Sequence, residues 1–442
     1  MLVFTPCTPV ALASRILAVS MLALSYACSD GSGSQPAQQP PPTASSTDAP
    51  PYSPASPGTF LVDSTGDDAD AMLGDGRCAT AAGVCTLRAA VQESNATLLF
   101  STNPFTHTNV IVLPKGHYRF IKPPLVPSVV AEGTSSEGML SILGSTNIRG
   151  AGARETIIDG NNLDRVFGVA PNAILSIADV TITGGSDGGI FNQGQLTVTR
   201  VTVTGNQASY GGGIFNTPTS SAIIEFSTIS NNTAVNEGGG IRFDAAGLVI
   251  SSTISGNKIL ANCCDGTEQD GGTSGEGGGI DARGGGPVTI INSTIVGNHA
   301  VTGGGGVNIA TSYQGDPGAV FDALGNEVLG RPIELMNTVI SGNTTDAGPR
   351  NCKNTIAGIH SLGGNIADDD SCFLTGEHDL PNTDPQLAPL ANYGGTTDTH
   401  ALRASSPAVK NGLSRQCPAL DQRGIKRASP CDSGAFEASG RQ

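Results

Sequence analysis

Two short segments of the chain carry the residues best suited to acid–base chemistry. Each has charged residues one and three positions after an isoleucine that follows a glycine run: Arg242, Asp244, Asp281 and Arg283. If the segments are neighbouring strands in register, Arg242 lies beside Asp281, and Asp244 lies beside Arg283. A base and an acid on an outer strand face could transfer protons to and from a bound substrate. We favour the simpler interpretation, two surface ion pairs that contribute about 0–1 kcal/mol each.

Two acidic segments contain oxygen ligands of the kind that calcium prefers. The first comprises Asp63, Asp67, Asp68, Asp70 and Asp75. The second comprises Asp265, Glu268, Asp270 and Glu276. Neither has the ligand spacing of an EF-hand loop. Both are therefore predicted to be solvated acidic loops, with calcium binding as the alternative, and no other cofactor is predicted.

The candidate catalytic residues lie within a region of sequence repeats, and these repeats must position them. The phrase Thr-Ile-Thr-Gly-Gly starts at residue 181, and variants of it start at residues 202, 228, 253, 294 and 339. A glycine run alternates with it and leads into Ile190, Ile214, Ile241, Ile280 and Val307. A period of about 20–50 residues is typical of stacked units that cannot bury their apolar faces alone.

The spacing of the apolar residues predicts an all-β, right-handed parallel β-helix. Ile182, Val203, Ile229 and Ile254 lie 21, 26 and 25 residues apart, which is too short for two helices per repeat. Each has an apolar residue five positions earlier, and this odd offset requires a bend, because strand side chains alternate between faces. A third strand then follows each glycine run. A β-sandwich is the rival fold, but it does not predict such columns of matching residues.

Longer intervals and repeated polar residues fit the same architecture. The intervals from 254 to 295 and from 295 to 340 indicate turns of the helix with loops added near 259–276 and 311–330. The asparagines that end five of the phrases are predicted to form a ladder of amide hydrogen bonds along the stack: Asn206, Asn232, Asn257, Asn298 and Asn343. The 60 glycines supply the positive φ angles at which strands change direction.

The cysteines indicate an oxidising compartment. Eight of the ten fall into four close pairs that are predicted to be disulfides: Cys78–Cys85, Cys263–Cys264, Cys352–Cys372 and Cys417–Cys431. Export makes such bonds chemically reasonable, although spacing alone does not determine connectivity. The adjacent Cys263 and Cys264 could instead be free thiols or form bonds elsewhere.

The N-terminal residues are typical of an exported protein. Arg15 precedes an apolar run over residues 16–24 that is too short to span a bilayer, and residues 1–27 are predicted to be a signal peptide. The segment resembles a bacterial lipoprotein signal, which implies lipidation at Cys28, although ordinary signal peptidase would cut the same bond. The Pro/Ser-rich residues 28–58 form a predicted disordered tether. The protein is therefore expected at the cell envelope as an outer-membrane surface lipoprotein, or secreted.

Two flanking segments resemble known families. Asp75-Gly76-Arg77-Cys78 through Ala96 resembles the CSLREA domain of exported bacterial β-helix proteins, and the segment from Asp384 to Glu437 resembles the "choice-of-anchor Q" domain. The Gly-Gly-Gly-Ile-Phe-Asn phrase at 211–216 is similar to repeats of polymorphic outer-membrane adhesins. These families imply a surface β-helix, and most members have no established activity.

The repeats and the resemblances together predict a division into six parts. The signal peptide and tether are followed by a CSLREA-like N-terminal cap at 59–105, the β-helix at 106–350, the choice-of-anchor-Q-like region at 351–437 and a tail at 438–442. The fold class is a pectin-lyase-like solenoid with a short N-terminal capping helix, predicted over Leu87–Asn95, and a loop-rich, disulfide-bonded C-terminal cap. Caps are needed because open solenoid ends expose unpaired strand groups.

The composition argues against several classes of function. The chain has no Trp and only 4% aromatic residues, so platforms for stacking sugars are scarce. A net charge of −15 disfavours binding to nucleic acid. His400 falls in the C-terminal motif and is predicted to be structural. We therefore expect a non-enzymatic protein of adhesion or envelope interaction that binds a glycan or a surface protein and contacts the membrane only through its acyl anchor. The alternative is a polysaccharide lyase or hydrolase that uses the Arg/Asp cluster.

Overall fold

The computed structural model describes residues 58–99, 108–124, 137–260, 275–283, 286–309, 320–321, 327–328, 333–353 and 358–438. The predicted signal peptide, Cys28, and the tether up to residue 57 lie outside these residues. So do Cys263, Cys264 and the acidic residues Asp265, Glu268 and Asp270. No described helix is long and apolar enough to cross a membrane.

Three long sheets of parallel strands run the length of the molecule. Sheet A contains Thr59–Leu61, Asn109–Val112, Ser145–Arg149, Ile174–Ala178, Gln195–Thr199, Ser221–Glu225, Ala246–Ile250, Val288–Ile291, Ile333–Met336 and Ile359–Gly363. Sheet B contains Gly116–Arg119, Thr156–Asp159, Thr181–Thr183, Thr202–Thr204, Thr228–Ser230, Thr253–Ser255, Thr294–Val296, Val339–Ser341 and Ile366–Ala367. Sheet C contains Leu140–Ile142, Phe167–Val169, Ile190–Asn192, Ile214–Asn216, Ile241–Phe243, Ile280–Ala282, Val307–Ile309 and Cys352–Lys353. This is the predicted right-handed parallel β-helix.

A fourth sheet was not predicted. Sheet D contains Gln207–Tyr210, Thr233–Glu237, Lys258–Ile259, His299–Ala300, Thr344–Thr345 and Gly348–Pro349, and it lies in the chain between sheets B and C. Its strands bury mostly one small side chain each, such as Ala208, Ala234 and Ala300. A column of alanines gives no clear apolar period, which is why three strands per turn were predicted instead of four.

The predicted columns pair residue for residue. In sheet B, Val203 pairs with Ile229 and Ile229 pairs with Ile254, and all three are fully buried. The predicted bend between sheets A and B is also present. One non-glycine residue in each bend has a positive φ: Asp179, Arg200, Phe226, Ser251, Asn292 and Asn337. This left-handed residue turns the chain so that apolar residues five positions apart both face the core.

The predicted asparagine ladder is present. The Nδ2 of Asn206 donates to the Oδ1 of Asn232 at 3.0 Å, and the same bond follows from Asn232 to Asn257 at 3.0 Å. The ladder continues through Asn298 to Asn343 at 2.9 Å per step. From Asn232 onward, each Oδ1 also accepts the backbone N–H of the preceding asparagine, and Asn206 Oδ1 accepts the N–H of Gly185. These buried amides are therefore hydrogen-bonded, as burial requires.

The N-terminal helix covers the open edge of sheet C. It spans Leu87–Leu99, four residues beyond its predicted end, and Leu87 and Val91 are buried as expected. Asn95 donates from Nδ2 to the Ser141 carbonyl oxygen at 2.7 Å and accepts the Leu143 N–H at 3.0 Å. These bonds pair backbone groups in and just after the first sheet C strand, Leu140–Ile142, along the edge that has no neighbouring strand.

The C-terminal region does more than cover the far end of the solenoid. The Cys352–Cys372 disulfide lies at that end. Cys352 belongs to the last strand of sheet C and pairs there with Val307 of the preceding strand. Residues 384–438, which we call the C-terminal segment, return along the outer face of sheet B. The segment contains the antiparallel strands Leu387–Ala391 and Thr399–Leu402, the 3-10 turn Ser414–Gln416 and the Cys417–Cys431 disulfide.

Two other predicted features have counterparts in the structure. The third described disulfide joins Cys78 to Cys85, so three of the four expected cysteine pairs are bonded. Within the predicted insertion at 311–330, Val320–Phe321 and Glu327–Val328 form a short antiparallel pair.

Candidate functional site

The outer face of sheet C presents one column of large side chains. In the last six strands, from Ile190–Asn192 onward, the outward residues pair in the order Phe191, Phe215, Arg242, Asp281, Asn308 and Lys353. We call this set the outer column. It begins with aromatic residues and ends with polar and charged ones. The predicted register of Arg242 against Asp281 is therefore correct.

The ion pairs differ from the predicted ones. Arg242 binds Asp244 in a bidentate arrangement, with Nε–Oδ1 and Nη2–Oδ2 distances of 2.7 and 2.9 Å. Its Nη1 also donates to Glu237 Oε2 at 2.8 Å. Arg283 pairs with Glu237 and lies 3.4 Å from Asp281. Residues two apart on a strand share a face, so each arginine pairs within its own segment, and Glu237 at the end of a sheet D strand bridges the two.

The cluster is also buried, which corrects the expectation of surface ion pairs. The exposed fraction of the side chain is 0% for Asp281, 7% for Glu237, 12% for Arg242 and 14% for Arg283. Asn308 extends the network, since its Nδ2 donates to Asp281 Oδ1 at 2.6 Å and to Glu276 Oε2 at 3.0 Å. Lys353 pairs with Glu276. Burial makes the loss of any one partner costly, because it leaves an uncompensated charge away from water.

Burial shifts the protonation of the central acid. Desolvation raises the pKa of Asp281 to about 7, against the opposing effects of Arg242 and the Asn308 amide. Nearby Glu276 and Asp244 also contribute to this raised pKa. A carboxyl with a pKa near neutrality could serve as a general acid or base. The Asp281 side chain is fully buried, however, so a substrate has no contact with it in this structure.

The aromatic end of the outer column forms a cleft that is absent from the expectations drawn from the sequence. The Phe191 and Phe215 rings meet edge to face with centroids 5.4 Å apart, and Tyr210 lies 6.3 Å from Phe215. The Arg242 guanidinium lies 4.6 Å from the Tyr210 ring and 4.8 Å from the Phe215 ring. A cavity of about 170 Å³ is lined by these three rings, the strand backbone, Arg165 and Asp187.

A sequence pattern could have revealed this cleft. Ile-Phe-Asn occurs at 190–192 and again at 214–216, one turn apart, and the pairing places Phe191 directly beside Phe215. The low aromatic content of the whole chain predicts few ring platforms. A few aromatic residues at the same phase of a repeat are nevertheless sufficient to build one.

The candidate calcium ligands near the N-terminus do not converge. Asp67 pairs with Arg88 at 2.7 Å and accepts the backbone N–H of Ile121. Asp63 and Asp75 accept the N–H groups of Cys85 and Arg77. Asp70 accepts the N–H groups of Met72 and Ala79 at 2.8 and 2.9 Å, and Asp68 lies 3.6 Å from Lys122. In the part of the chain that the structure describes, no group of three or more His, Cys, Asp or Glu residues could hold a metal ion.

His400 has a structural position. It is buried in the C-terminal segment, with Nε2 3.0 Å from Ser255 Oγ and Nδ1 2.8 Å from the Ala388 carbonyl oxygen. Burial lowers its pKa. These contacts join the segment to sheet B and agree with the role expected from the sequence.

The comparisons with known proteins are sparse. No family model and no curated protein sequence matches this chain. The crystal structure of pectate lyase Pel9A is similar to it at 14% identity and a TM-score of 0.42, over 87% of this chain and 97% of that one. The β-helix described here rests on the strand pairing of this chain. The resemblance to CSLREA, choice-of-anchor Q and adhesin repeats stays a prediction.

Proposed function

We propose that this protein is an exported β-helix, lipid-anchored at Cys28, that acts without catalysis in adhesion or envelope interaction. In this proposal the acyl chain is the only membrane contact, and the solenoid presents its outer faces to a glycan or a surface protein. An acyl chain on a flexible tether would hold the solenoid near a membrane surface.

The closed ion network of sheet C is the observation that carries the non-enzymatic part of the proposal. Arg242 is bound by Asp244 and Glu237, and Arg283 is bound by Glu237 and Asp281. A catalytic base or acid must reach the proton that it transfers, at about 2.6–3.2 Å or through one water. Side chains that are buried and already paired with each other act as structural supports of the sheet.

Export is supported by the disulfides. Three cysteine pairs are bonded within a chain of 442 residues, and such bonds form and persist mainly outside the reducing cytosol.

One observation favours the alternative, a polysaccharide lyase or hydrolase. Burial raises the pKa of Asp281 to about 7, which suits proton transfer at neutral pH. In that case the cluster would have to open when substrate binds.

Two experiments test the proposal. First, the full chain is incubated with neutral and acidic polysaccharides, with and without calcium, and the products are measured. We expect no product. Release of product that disappears in a folded Asp281→Asn variant would establish the enzyme instead.

Second, the anchor is tested in cells. Mass spectrometry of the membrane fraction should find a diacylglyceryl group on Cys28, and Cys28→Ser should move the protein to the soluble fraction. Finding the wild-type protein soluble with an unmodified Cys28 would rule out the lipid anchor and leave ordinary secretion.

A further inference from the structure

Arg165 in the aromatic cleft has donor groups that the protein does not use. The residue is 7% exposed, and its Nη2 pairs with Asp187. Its Nε and Nη1 atoms are buried and have no hydrogen-bond acceptor among the described residues. Because buried donors are normally paired, these two atoms call for an acceptor from outside the chain, and a shift of the guanidinium toward the cleft that Arg165 lines would bring them within reach of it.

The charge of the cleft limits what that acceptor can be. The positive charge of Arg165 is already balanced by Asp187, whose side chain is 37% exposed beside it. A second carboxylate bound here would face Asp187 as a like charge, and such a contact is unfavourable. The site therefore favours uncharged oxygens, such as hydroxyl groups, over an acidic group.

The aromatic rings of the cleft indicate that the ligand also has an apolar surface. The Arg165 guanidinium lies 4.4 Å from the Phe191 ring centroid, and Arg242 supports Phe215 and Tyr210 from the charged side of the column. Cation–π contacts of this kind hold rings in place before a ligand arrives. All three rings are partly exposed and offer apolar surface in the same cleft that Arg165 lines.

The size of the cleft points to a small group. About 170 Å³ is less than the roughly 300–1,000 Å³ of pockets that hold drug-sized ligands. One sugar residue combines an apolar C–H face with a rim of hydroxyls inside a compact ring. A peptide of similar size places its apolar side chain and its carbonyl oxygens on separate parts of an extended backbone.

We propose that this cleft binds one residue of a neutral glycan. The apolar face of the sugar rests on Phe191, Phe215 and Tyr210, and its hydroxyl oxygens accept from Arg165 while Asp187 accepts from a hydroxyl. The inference rests on the proposed function, because it names the ligand class through which a surface β-helix would adhere.

The test is a titration of the full chain, followed by saturation-transfer NMR. The probes are oligosaccharides of glucose, galactose, mannose and N-acetylglucosamine, their uronic-acid counterparts and a set of short peptides. We expect at least one neutral oligosaccharide to bind. Phe191→Leu, which keeps an apolar side chain but removes the ring, and Arg165→Gln should each weaken that binding at least tenfold, or about 1.4 kcal/mol.

Matched control variants lie far from the cleft in sequence. Phe373 is 66% exposed and the Arg415 side chain is 61% exposed, so Phe373→Leu and Arg415→Gln remove the same groups elsewhere on the surface. Both should leave binding unchanged. Circular dichroism of each variant checks that the fold is retained, and Phe191→Leu alone decides the result if Arg165→Gln does not fold.

Several outcomes would overturn the inference. These are binding of uronic-acid probes only, binding of peptides only, no binding of any neutral sugar, and neutral-sugar binding that the Phe191 variant leaves intact. If none of the neutral sugars binds while the anchored protein still mediates adhesion, the cleft assignment fails and the proposed function stands. Product release from a polysaccharide would instead contradict the proposed function itself.

Discussion

The outer faces of sheets B and C differ in side-chain size, and this difference determines what covers each face. Sheet B presents threonine and serine hydroxyls, and the C-terminal segment lies against them. Gln422 of that segment donates from Nε2 to Thr228 Oγ1 at 2.9 Å and accepts from Thr253 Oγ1 at 2.6 Å. Sheet C instead presents the aromatic and charged outer column, whose side chains pack on one another.

This comparison shows how one repeat can support two kinds of surface. Small hydroxyl residues leave room for a second layer of chain and offer donors and acceptors to it at every turn of the solenoid. On sheet C, large side chains in register fill the space that a second layer of chain would occupy. A cleft remains at the aromatic end of the outer column. Four predictions test the contrast, beginning with the largest effect.

Reversal of Arg242 should be the most damaging change on sheet C. Arg242→Glu removes an arginine partner of both Asp244 and Glu237 and adds another carboxylate to a buried site that already holds several. We expect a loss of about 3–5 kcal/mol in the free energy of unfolding, measured in urea. This replaces the slight effect expected for a surface pair.

The control for this reversal is Arg119→Glu. The Arg119 side chain is 58% exposed, and its Nε lies 3.8 Å from Asp159. The free energy of unfolding of this variant should differ from that of the wild type by no more than about 1 kcal/mol. Equal effects for the two variants would mean that the buried network is absent in solution.

The protonation of Asp281 should make stability depend on pH. Its pKa is raised from 3.8 to about 7 in the folded state, so the folded protein holds a proton that the unfolded chain releases. This contribution to stability is full below pH 4 and is lost as the pH rises through 7, with a total on the order of 4 kcal/mol at most. Asp281→Asn should flatten the curve of unfolding free energy against pH between these values. A variant curve parallel to that of the wild type would exclude Asp281 as the titrating group.

Removing the disulfide of the C-terminal segment should lower the free energy of unfolding more than removing the N-terminal disulfide. Cys417 and Cys431 are 14 residues apart, and replacing both with Ala should cost about 3 kcal/mol and make the segment sensitive to limited proteolysis. Cys78 and Cys85 are only 7 residues apart, so the corresponding double variant should cost less. Unchanged proteolysis of the Cys417/Cys431 variant would show that the hydrogen bonds to sheet B hold the segment without the disulfide.

The smallest predicted effect on stability distinguishes sheet B residues that lie under the C-terminal segment from those that do not. Thr253→Val leaves Gln422 Oε1 without its hydroxyl donor under the C-terminal segment and should cost about 1–2 kcal/mol. Thr202 lies in the same column two strands earlier and is partly exposed, so Thr202→Val should change stability by less than about 0.5 kcal/mol. Thermal unfolding compares the two variants. Similar midpoints would argue that the segment does not rest on this face.

The β-helix itself could be predicted because its core is periodic. Ile182, Val203 and Ile229 recur at one phase, and stacking in register is the arrangement that buries all of them together. The asparagine ladder follows from the same register. Sheet D escaped prediction because alanine columns give a weak pattern.

The candidate site could be predicted only in part. The register of Arg242 against Asp281 followed from the equivalent glycine runs that precede them. Glu237 could not be assigned as their shared partner, because it lies in the unpredicted sheet D, where no repeated pattern marks it. The aromatic cleft depends on Tyr210 of sheet D as well as on the two phenylalanines of sheet C.

The amino-acid sequence alone predicted the solenoid, its register and the three cysteine pairs that the structure shows bonded, because repeats and short separations leave local patterns. Tertiary structure alone decided which outer face is covered. Gln422 meets Thr253 across 169 residues of chain, and such a contact has no counterpart in any local period. Tertiary structure also decided that the charged cluster is buried, since burial depends on every element packed around a side chain. Periodicity reports which residues face the core, whereas long-range packing determines which outward residues remain accessible to a ligand.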